Sequence, residues 1–364
     1  MTSAEVKAAL RKKKAPVVEP LGLSSGSSLL NLACTGRPDL AFLAGHVYLL
    51  VGDSNSGKTF LSLTCLAEAS INPAFDDYRF IHDNVERGAL MDFSKFFGSK
   101  MAGRLEPPEI RDGGPVYSQT IEDFYDHVDD NVKKGPCIYV LDSMDALSSE
   151  AELKKFNKNK KARQKIQEDE EGEEGTIKGS FGDGKAKANS AGLRIAHNAM
   201  ASNGSILIVI FQSRDNIGFG AMFNPKTRSG GNAPTFYATL EIWSSVKERI
   251  KRPILKKERV LGTLAKLRIK KNRITGKDRS LELPIYDSTG IDETGSCVKY
   301  LIAENHWKGT KETVIAPEFD HTGSIDELVA KVEGENKENE LRLLVAETWN
   351  GIENRCRVER KARY

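Results

Sequence analysis

A mainly parallel α/β sheet flanked by helices is the fold class this sequence predicts, with a small C-terminal domain and an N-terminal arm appended. Three observations carry it. The apolar run Val47-Tyr48-Leu49-Leu50-Val51 is followed at once by Gly52-Asp53-Ser54-Asn55-Ser56-Gly57-Lys58-Thr59 and then by the apolar-rich stretch Phe60 to Ala67, giving strand, glycine loop and helix in succession. Two further runs, Cys137 to Leu141 and Ile206 to Phe211, are apolar without alternation, as parallel strands buried on both faces read. Each ends on a polar residue, Asp142 or Gln212, at the edge where an open α/β sheet binds its ligand.

Residues 52–59 have the composition of a phosphate cradle. Backbone N–H groups must turn inward and come close to the anion, so glycines at both ends, Gly52 and Gly57, remove the Cβ atoms that would block it. Within the loop Asp53, Ser54, Asn55 and Ser56 contribute backbone, Lys58 supplies a point charge for the β/γ-phosphates, and the Thr59 hydroxyl is placed to ligate Mg²⁺. ATP and Mg²⁺ are therefore the expected cofactors. Asp142, delivered by a buried strand roughly eighty residues past the loop, is the expected acid of the Mg²⁺ hydration shell. The strand reading over Tyr78 to Glu86 ends in acids placed to polarise a water, with Glu86 as first choice of base and Asp83 as the alternative.

Composition bounds the rest. Hydrophobic residues make up 39% and charged residues 29% of 364, enough to bury a core, and no 18-residue apolar span suggests a membrane helix. The N-terminus from Met1 to Lys14 lacks the apolar centre of a secretory signal. Cysteines 34, 65, 137, 297 and 356 are scattered, without C-x-x-C spacing, and read as reduced thiols of an intracellular protein. Net charge is only +3, yet Lys247 to Arg279 holds fourteen cations against three acids, a density that suits a polyanion partner.

In chain order, residues 1–28 read as an arm: a short basic helix over 3–13, then Ala15-Pro16-Val17-Val18 and a Gly/Ser stretch at 22–28. Residues 29–288 read as the core. Within it, 116–134 suggest a charged helix, and 150–190 carry almost no apolar residues and suggest a mobile excursion before a helix resumes over Ala191 to Met200. Ser213 to Pro234 is a glycine-rich loop bearing Arg214, Phe219, Phe223, Lys226, Arg228, Gly230, Gly231 and Asn232, which can wrap a flexible polyanion and insert between bases. Residues 289–364 suggest a small helical C-terminal domain or cap and a basic tail of Arg355, Arg357, Arg360, Lys361 and Arg363.

The segments Leu29 to Thr59, Cys137 to Leu147 and Phe211 to Ala238 together resemble the RecA-type recombinases, including those of bacteriophages, over about residues 29 to 310. The last segment is the most specific, with Asn224-Pro225-Lys226-Thr227, Gly230-Gly231-Asn232-Ala233 and Phe236-Tyr237-Ala238. The resemblance implies a RecA-like ATPase core that binds ATP between neighbouring subunits of a helical filament on single-stranded DNA and pairs that strand with a homologous duplex. It implies that Lys58, Thr59 and Asp142 hold phosphate and Mg²⁺, that Glu86 is the catalytic carboxylate, and that Gln212 senses the γ-phosphate for a DNA loop at 213–233. A first DNA loop falls at 178–190. Lys271-Asn272-Arg273 is similar to a family motif whose cations, here Lys271 and Arg273, reach a neighbour's phosphates. A cytoplasmic protein without membrane contact is implied, in the nucleoid or a phage-infected host. Two other functions share this core: a hexameric DNA helicase, and a recombination mediator that hydrolyses weakly, which the irregular Asp83-Asn84-Val85-Glu86 spacing keeps open.

Overall fold

The computed structural model describes residues 20–168, 183–216, 226–310 and 312–360. Among these, nine strands form the central sheet: β1 (Val47–Gly52), β2 (Arg79–Asp83), β3 (Cys137–Leu141), β4 (Ile206–Asp215), β5 (Lys226–Arg228), β6 (Leu240–Ile254), β7 (Lys257–Asn272), β8 (Ser280–Tyr286) and β9 (Gly290–Ile291). They lie in the order β9-β8-β7-β6-β1-β4-β3-β2, with β5 turned back antiparallel on β4. From β6 through β2 neighbouring strands run parallel, as the unalternated apolar runs predict, and from β6 through β9 they run antiparallel.

Burial explains why the parallel half was so plain. Tyr48 and Leu50 face one apolar cluster, while Val47, Leu49 and Val51 face the other, so every position of β1 is apolar or glycine. The first cluster lies under α1 (Ser28–Thr35) and α2 (Lys58–Ile71). The second lies under α3 (Ile121–Lys133), a helix closed by a Thr120/Asp123 capping box, and α5 (Asp183–Asn203). The intervening α4 (Glu150–Glu168) is polar nearly throughout.

Helices α4 and α5 correct the expected excursion over 150–190. Apolar periodicity misses them because α4 is built from helix-forming Glu, Lys, Gln and Ala with ion pairs such as Glu150 to Lys154, 2.7 Å. The helix that resumes begins at Asp183 rather than Ala191, and its first turns dock through polar contacts: Lys185 Nζ donates to the Leu147 carbonyl at 2.6 Å, and the Tyr125 hydroxyl donates to Asn189 at 2.9 Å. Residues 183–190 of the expected first DNA loop are therefore helical, and 178–182 lie outside the described residues.

The Gly/Ser stretch 22–28 is folded rather than part of an arm. Gly22–Leu23 pairs with Phe42–Leu43, Leu23 is fully buried, and Ser27 caps α1. The Ser28 N–H donates to the Glu293 carboxylate at 3.0 Å, tying this stretch to the C-terminal region. The basic helix over 3–13 and Ala15 to Val18 lie outside the described residues. After β9 come α6 (Glu293–Ala303), a small antiparallel sheet of Lys308–Gly309, Thr313–Ala316 and His321–Ser324, then α7 (Ile325–Gly334) and α8 (Glu338–Arg355). Val298, Leu301, Trp307, Leu328 and Leu341 join the same cluster as Leu30, Leu66 and Leu267, so the C-terminal region caps the core rather than building one of its own. Among the described residues no helix is long and apolar enough to cross a membrane. Cys34, Cys65, Cys137 and Cys297 are buried and unpaired; Cys356 is exposed.

Candidate functional site

The parallel register sets the site. Gly52 at the end of β1 stands level with Gln212 on β4 and with Ser244 on β6, and Asp142 follows directly on β3, so loop, acid and amide meet at one edge. Gly52 is required by closeness: a Cβ there would lie 2.1 Å from the Ser244 carbonyl oxygen. Gly57 is required by conformation, with φ +86° at the N-cap of α2. Between them Ser54 and Asn55 are exposed at the loop tip, and Ser56 is buried with its hydroxyl donating to the Asp53 carbonyl at 2.7 Å.

Lys58 and Thr59 open α2. The Lys58 ammonium donates to the Asp53 carbonyl at 2.7 Å, inside the mouth of its own loop. Burial lowers its pKa, against the pull of Asp142, Glu86, Asp53 and Asp145. The Thr59 hydroxyl donates to Asp142 Oδ2 at 2.6 Å. One hydroxyl beside one carboxylate is the hard-oxygen set that suits Mg²⁺, which keeps waters and phosphate oxygens as its other ligands. Among the described residues no larger His, Cys, Asp or Glu group could hold a metal. Behind this pair, buried His82 Nε2 stands 3.8 Å from Asp142 Oδ2 without a hydrogen-bond partner.

The two acids that the sequence left as alternatives separate cleanly. Asp83 is buried and saturated: it accepts from the Ser118 N–H at 3.2 Å, the Ser118 hydroxyl at 2.5 Å and the Tyr139 hydroxyl at 2.9 Å. Glu86 is exposed at the edge, and its Oε1 accepts from Gln212 Nε2 at 2.9 Å and from the Ser143 hydroxyl. Its N–H donates to the Asp142 carbonyl at 3.0 Å, which fixes it beside Asp142. Asp145 was missed in the sequence. Its carboxylate accepts from the Gln212 N–H at 2.8 Å and from Arg214 at 2.9 Å, so it pins both residues at the end of β4. The signal was its place in Asp142-Ser143-Met144-Asp145, where a short turn returns a second acid to the edge.

Asp53 joins the loop to the glycine-rich segment. It accepts from the Ser213 hydroxyl and pairs with Lys226 at 3.2 Å, and Lys226 also pairs with Asp215 at 2.9 Å. Burial pushes the Asp53 pKa up, but the Ser213 hydroxyl and the Lys226 ammonium outweigh it and the net shift is down. Arg228 behaves differently from the polyanion contact its sequence position suggests. Its side chain is 6% exposed, pairs with Glu241 at 3.9 Å, donates to the Ser229 and Gly231 carbonyls and to the Thr235 hydroxyl, and sits 5.0 Å from the Phe211 ring centre. It is a support for the segment rather than a surface cation. Gly230, Gly231 and Asn232 lead into the short helix Ala233–Tyr237, and Phe219 and Phe223 lie outside the described residues.

Lys271 and Arg273 close the other side. Lys271 donates to the Thr235 carbonyl and, at 3.3 Å, to that of Phe236; Arg273 donates to the Phe236 carbonyl at 2.6 Å. Burial, then the neighbouring Arg273 charge, pulls the Lys271 pKa down to about 8. Among the described residues neither cation bonds to the P-loop of its own chain, and Phe236 beside them is 65% exposed.

Fold and site together define an α/β protein with a RecA-like core: a mainly parallel sheet whose shared edge gathers the glycine loop, the Thr59–Asp142 pair and the Glu86–Gln212 hydrogen bond. A family model described as the RecA N-terminal domain matches residues 166–292. Protein RecA of Bacteroides thetaiotaomicron is 28% identical over 287 residues, covering 76% of this chain and 72% of that protein. Protein RecA of Porphyromonas gingivalis is 27% identical over 307 residues, covering 80% and 74%, and that of Brucella anthropi is 28% identical over 297 residues, covering 79% and 68%. The chain is thus similar to RecA proteins over about three quarters of its length.

Proposed function

We propose that this protein is a DNA-dependent ATPase that assembles as a helical filament on single-stranded DNA, pairs that strand with a homologous duplex and exchanges strands. The observation that carries the reading is the 2.9 Å hydrogen bond from Gln212 to Glu86. It joins the carboxylate best placed to activate a water to the strand that leads into the glycine-rich segment.

Lys58 exchanges its contact with the Asp53 carbonyl for the β/γ-phosphates of ATP. Thr59 and Asp142 would hold Mg²⁺, which would supply charge stabilisation of the phosphate oxygens. Glu86 orients a water and takes its proton. Any shift of Glu86 is felt by Gln212, and through the end of β4 by Arg214 and Lys226, which would contact DNA. Asp53 is a second tie, from the cradle itself to Ser213 and Lys226. Lys271 and Arg273, beside exposed Phe236, would reach the phosphates bound by a neighbouring copy, so that hydrolysis would depend on assembly. Cations supplied in that way raise turnover by roughly 10³ to 10⁵ where arginine fingers are known.

The test is ATPase and strand exchange with and without single-stranded DNA. Lys58→Ala should abolish both. Arg273→Ala should leave nucleotide binding by a subunit intact and cut DNA-stimulated turnover at least tenfold. Normal DNA-stimulated turnover in Arg273→Ala would remove the role in trans, and unwinding of a forked duplex without a homologous partner would favour a helicase instead.

A further inference from the structure

A cleft of about 480 Å³ opens beside the glycine-rich segment, bordered by Asn216, Lys226, Asn232, Glu241, Trp243 and Lys270. Trp243 and Lys270 come from β6 and β7 and belong to none of the roles above. Their meeting is built into the sheet. Along β6 and β7, Glu241 pairs with Lys271 but Ile242 pairs with Ile269, so Lys270 is the extra residue of a β-bulge. The bulge turns Lys270 to the side carrying Glu241 and Trp243, and its ammonium rests 4.3 Å from the indole ring centre. Bulges re-aim side chains in this way next to functional sites.

We propose that this cleft is a subsite for one nucleotide of single-stranded DNA, with the base stacked on Trp243 and its phosphate held by Lys270. The inference rests on the DNA-binding reading above. The volume suits a small ligand and the lining offers one aromatic face, cations and amides, the combination that binds single strands without sequence preference. Glu241 does not repel a phosphate from this place: it is 4% exposed and accepts from Thr235 and the Trp243 indole N–H, each at 2.8 Å, while facing Arg228. The indole N–H bond to Glu241 also fixes the ring plane. A base displaces the ammonium from the ring because an exposed cation–π contact gives roughly a 2- to 5-fold bias, and a stacked base roughly 5- to 150-fold. Lys270, freed from the ring, then meets the phosphate. The same chemistry could accept the nucleotide of a neighbouring copy's ATP, so the test separates the two sources.

Intrinsic fluorescence of the full-length protein is followed with oligo(dT), with an abasic oligonucleotide and with a non-hydrolysable ATP analogue alone, while anisotropy of labelled oligo(dT) reads binding independently. Oligo(dT) should quench a component that is missing in Trp243→Phe, a variant that keeps an aromatic ring but removes the indole reporter, with binding followed by anisotropy. The abasic strand should bind without that quenching. Trp243→Ala should weaken binding roughly 5- to 150-fold, and Lys270→Ala should reduce the log–log salt slope by about 0.7. Equal quenching in wild type and Trp243→Phe overturns the inference, as does quenching by the ATP analogue alone, which assigns the cleft to ATP. Failure of the wild-type protein to shift anisotropy defeats the proposed function and this subsite together, whereas binding without Trp243-dependent quenching defeats the subsite only.

Discussion

Asp83 and Glu86 lie three residues apart at the end of one strand, and their fates differ because of partners far away in sequence. Ser118 and Tyr139 consume the Asp83 carboxylate in the interior, while Glu86 meets Gln212 in the open. Asp83→Asn should therefore lower stability by about 1–3 kcal/mol, since it disrupts a buried hydrogen-bonded acceptor, and Glu86→Gln should leave the melting temperature unchanged while cutting turnover by roughly 10²-fold or more. Thermal melts paired with ATPase rates check both; a turnover loss confined to Asp83→Asn would reverse the assignment. The meeting of Lys58, Thr59 and Asp142 at one edge was legible because it depends on a short motif and a strand end. The choice between two acids was not, because it turns on a serine 35 residues away and a tyrosine 56 away. Arg228 misled for a related reason: a cation in a glycine-rich stretch reads as a surface group until Glu241 and Phe211 are folded against it.

Elements that owe their form to burial were readable, and those that owe it to polar contacts were not. β1, β3 and β4 announce themselves as apolar runs, but α5 begins on a polar first turn and is held against α3 by hydrogen bonds and close packing. Gly192 sits at that contact, where an added Cβ would come within 2.0 Å of the Tyr125 ring. Helix propensity alone would make Gly192→Ala stabilising by about 1 kcal/mol. Overpacking against a buried ring costs about 1–3 kcal/mol or more, so the variant should be less stable in a denaturant melt, and a stabilised variant would show that α5 does not pack closely on α3. The long β6–β7 hairpin was hidden for a different reason. Its turn places Leu255 and Lys256 at φ +51° and +62°, where Asn-Gly or Asp-Gly would have signalled a hairpin. The basic run over 247–279 is therefore largely hairpin, and residues 251–260 at its tip are exposed throughout.

At the scale of the molecule, the proposed function needs the edge around residues 52–59 of one copy and the Lys271/Arg273 pair of a second. Lys271 gives this a pH signature. Its folded-state pKa of about 8 lies below the ordinary lysine value of 10.5, so its charge is complete well below pH 8 and is lost as pH rises through it. The same shift means that protonated Lys271 strains the folded monomer, a penalty present below about pH 8 and relieved between there and 10.5. ATP-driven assembly should therefore weaken as pH rises past about 8, and Lys271→Arg should remove that dependence; light scattering against pH checks it, and an unchanged profile in the variant would exclude Lys271 as the titrating group. The central coupling, from a bound γ-phosphate through Glu86, Gln212 and Asp53 to the residues around 213–233, is read most directly by the affinity for oligo(dT) at fixed salt with a non-hydrolysable ATP analogue, with ADP and with no nucleotide. Binding at least tenfold tighter with the analogue is expected, and equal affinity in all three states would contradict the coupling.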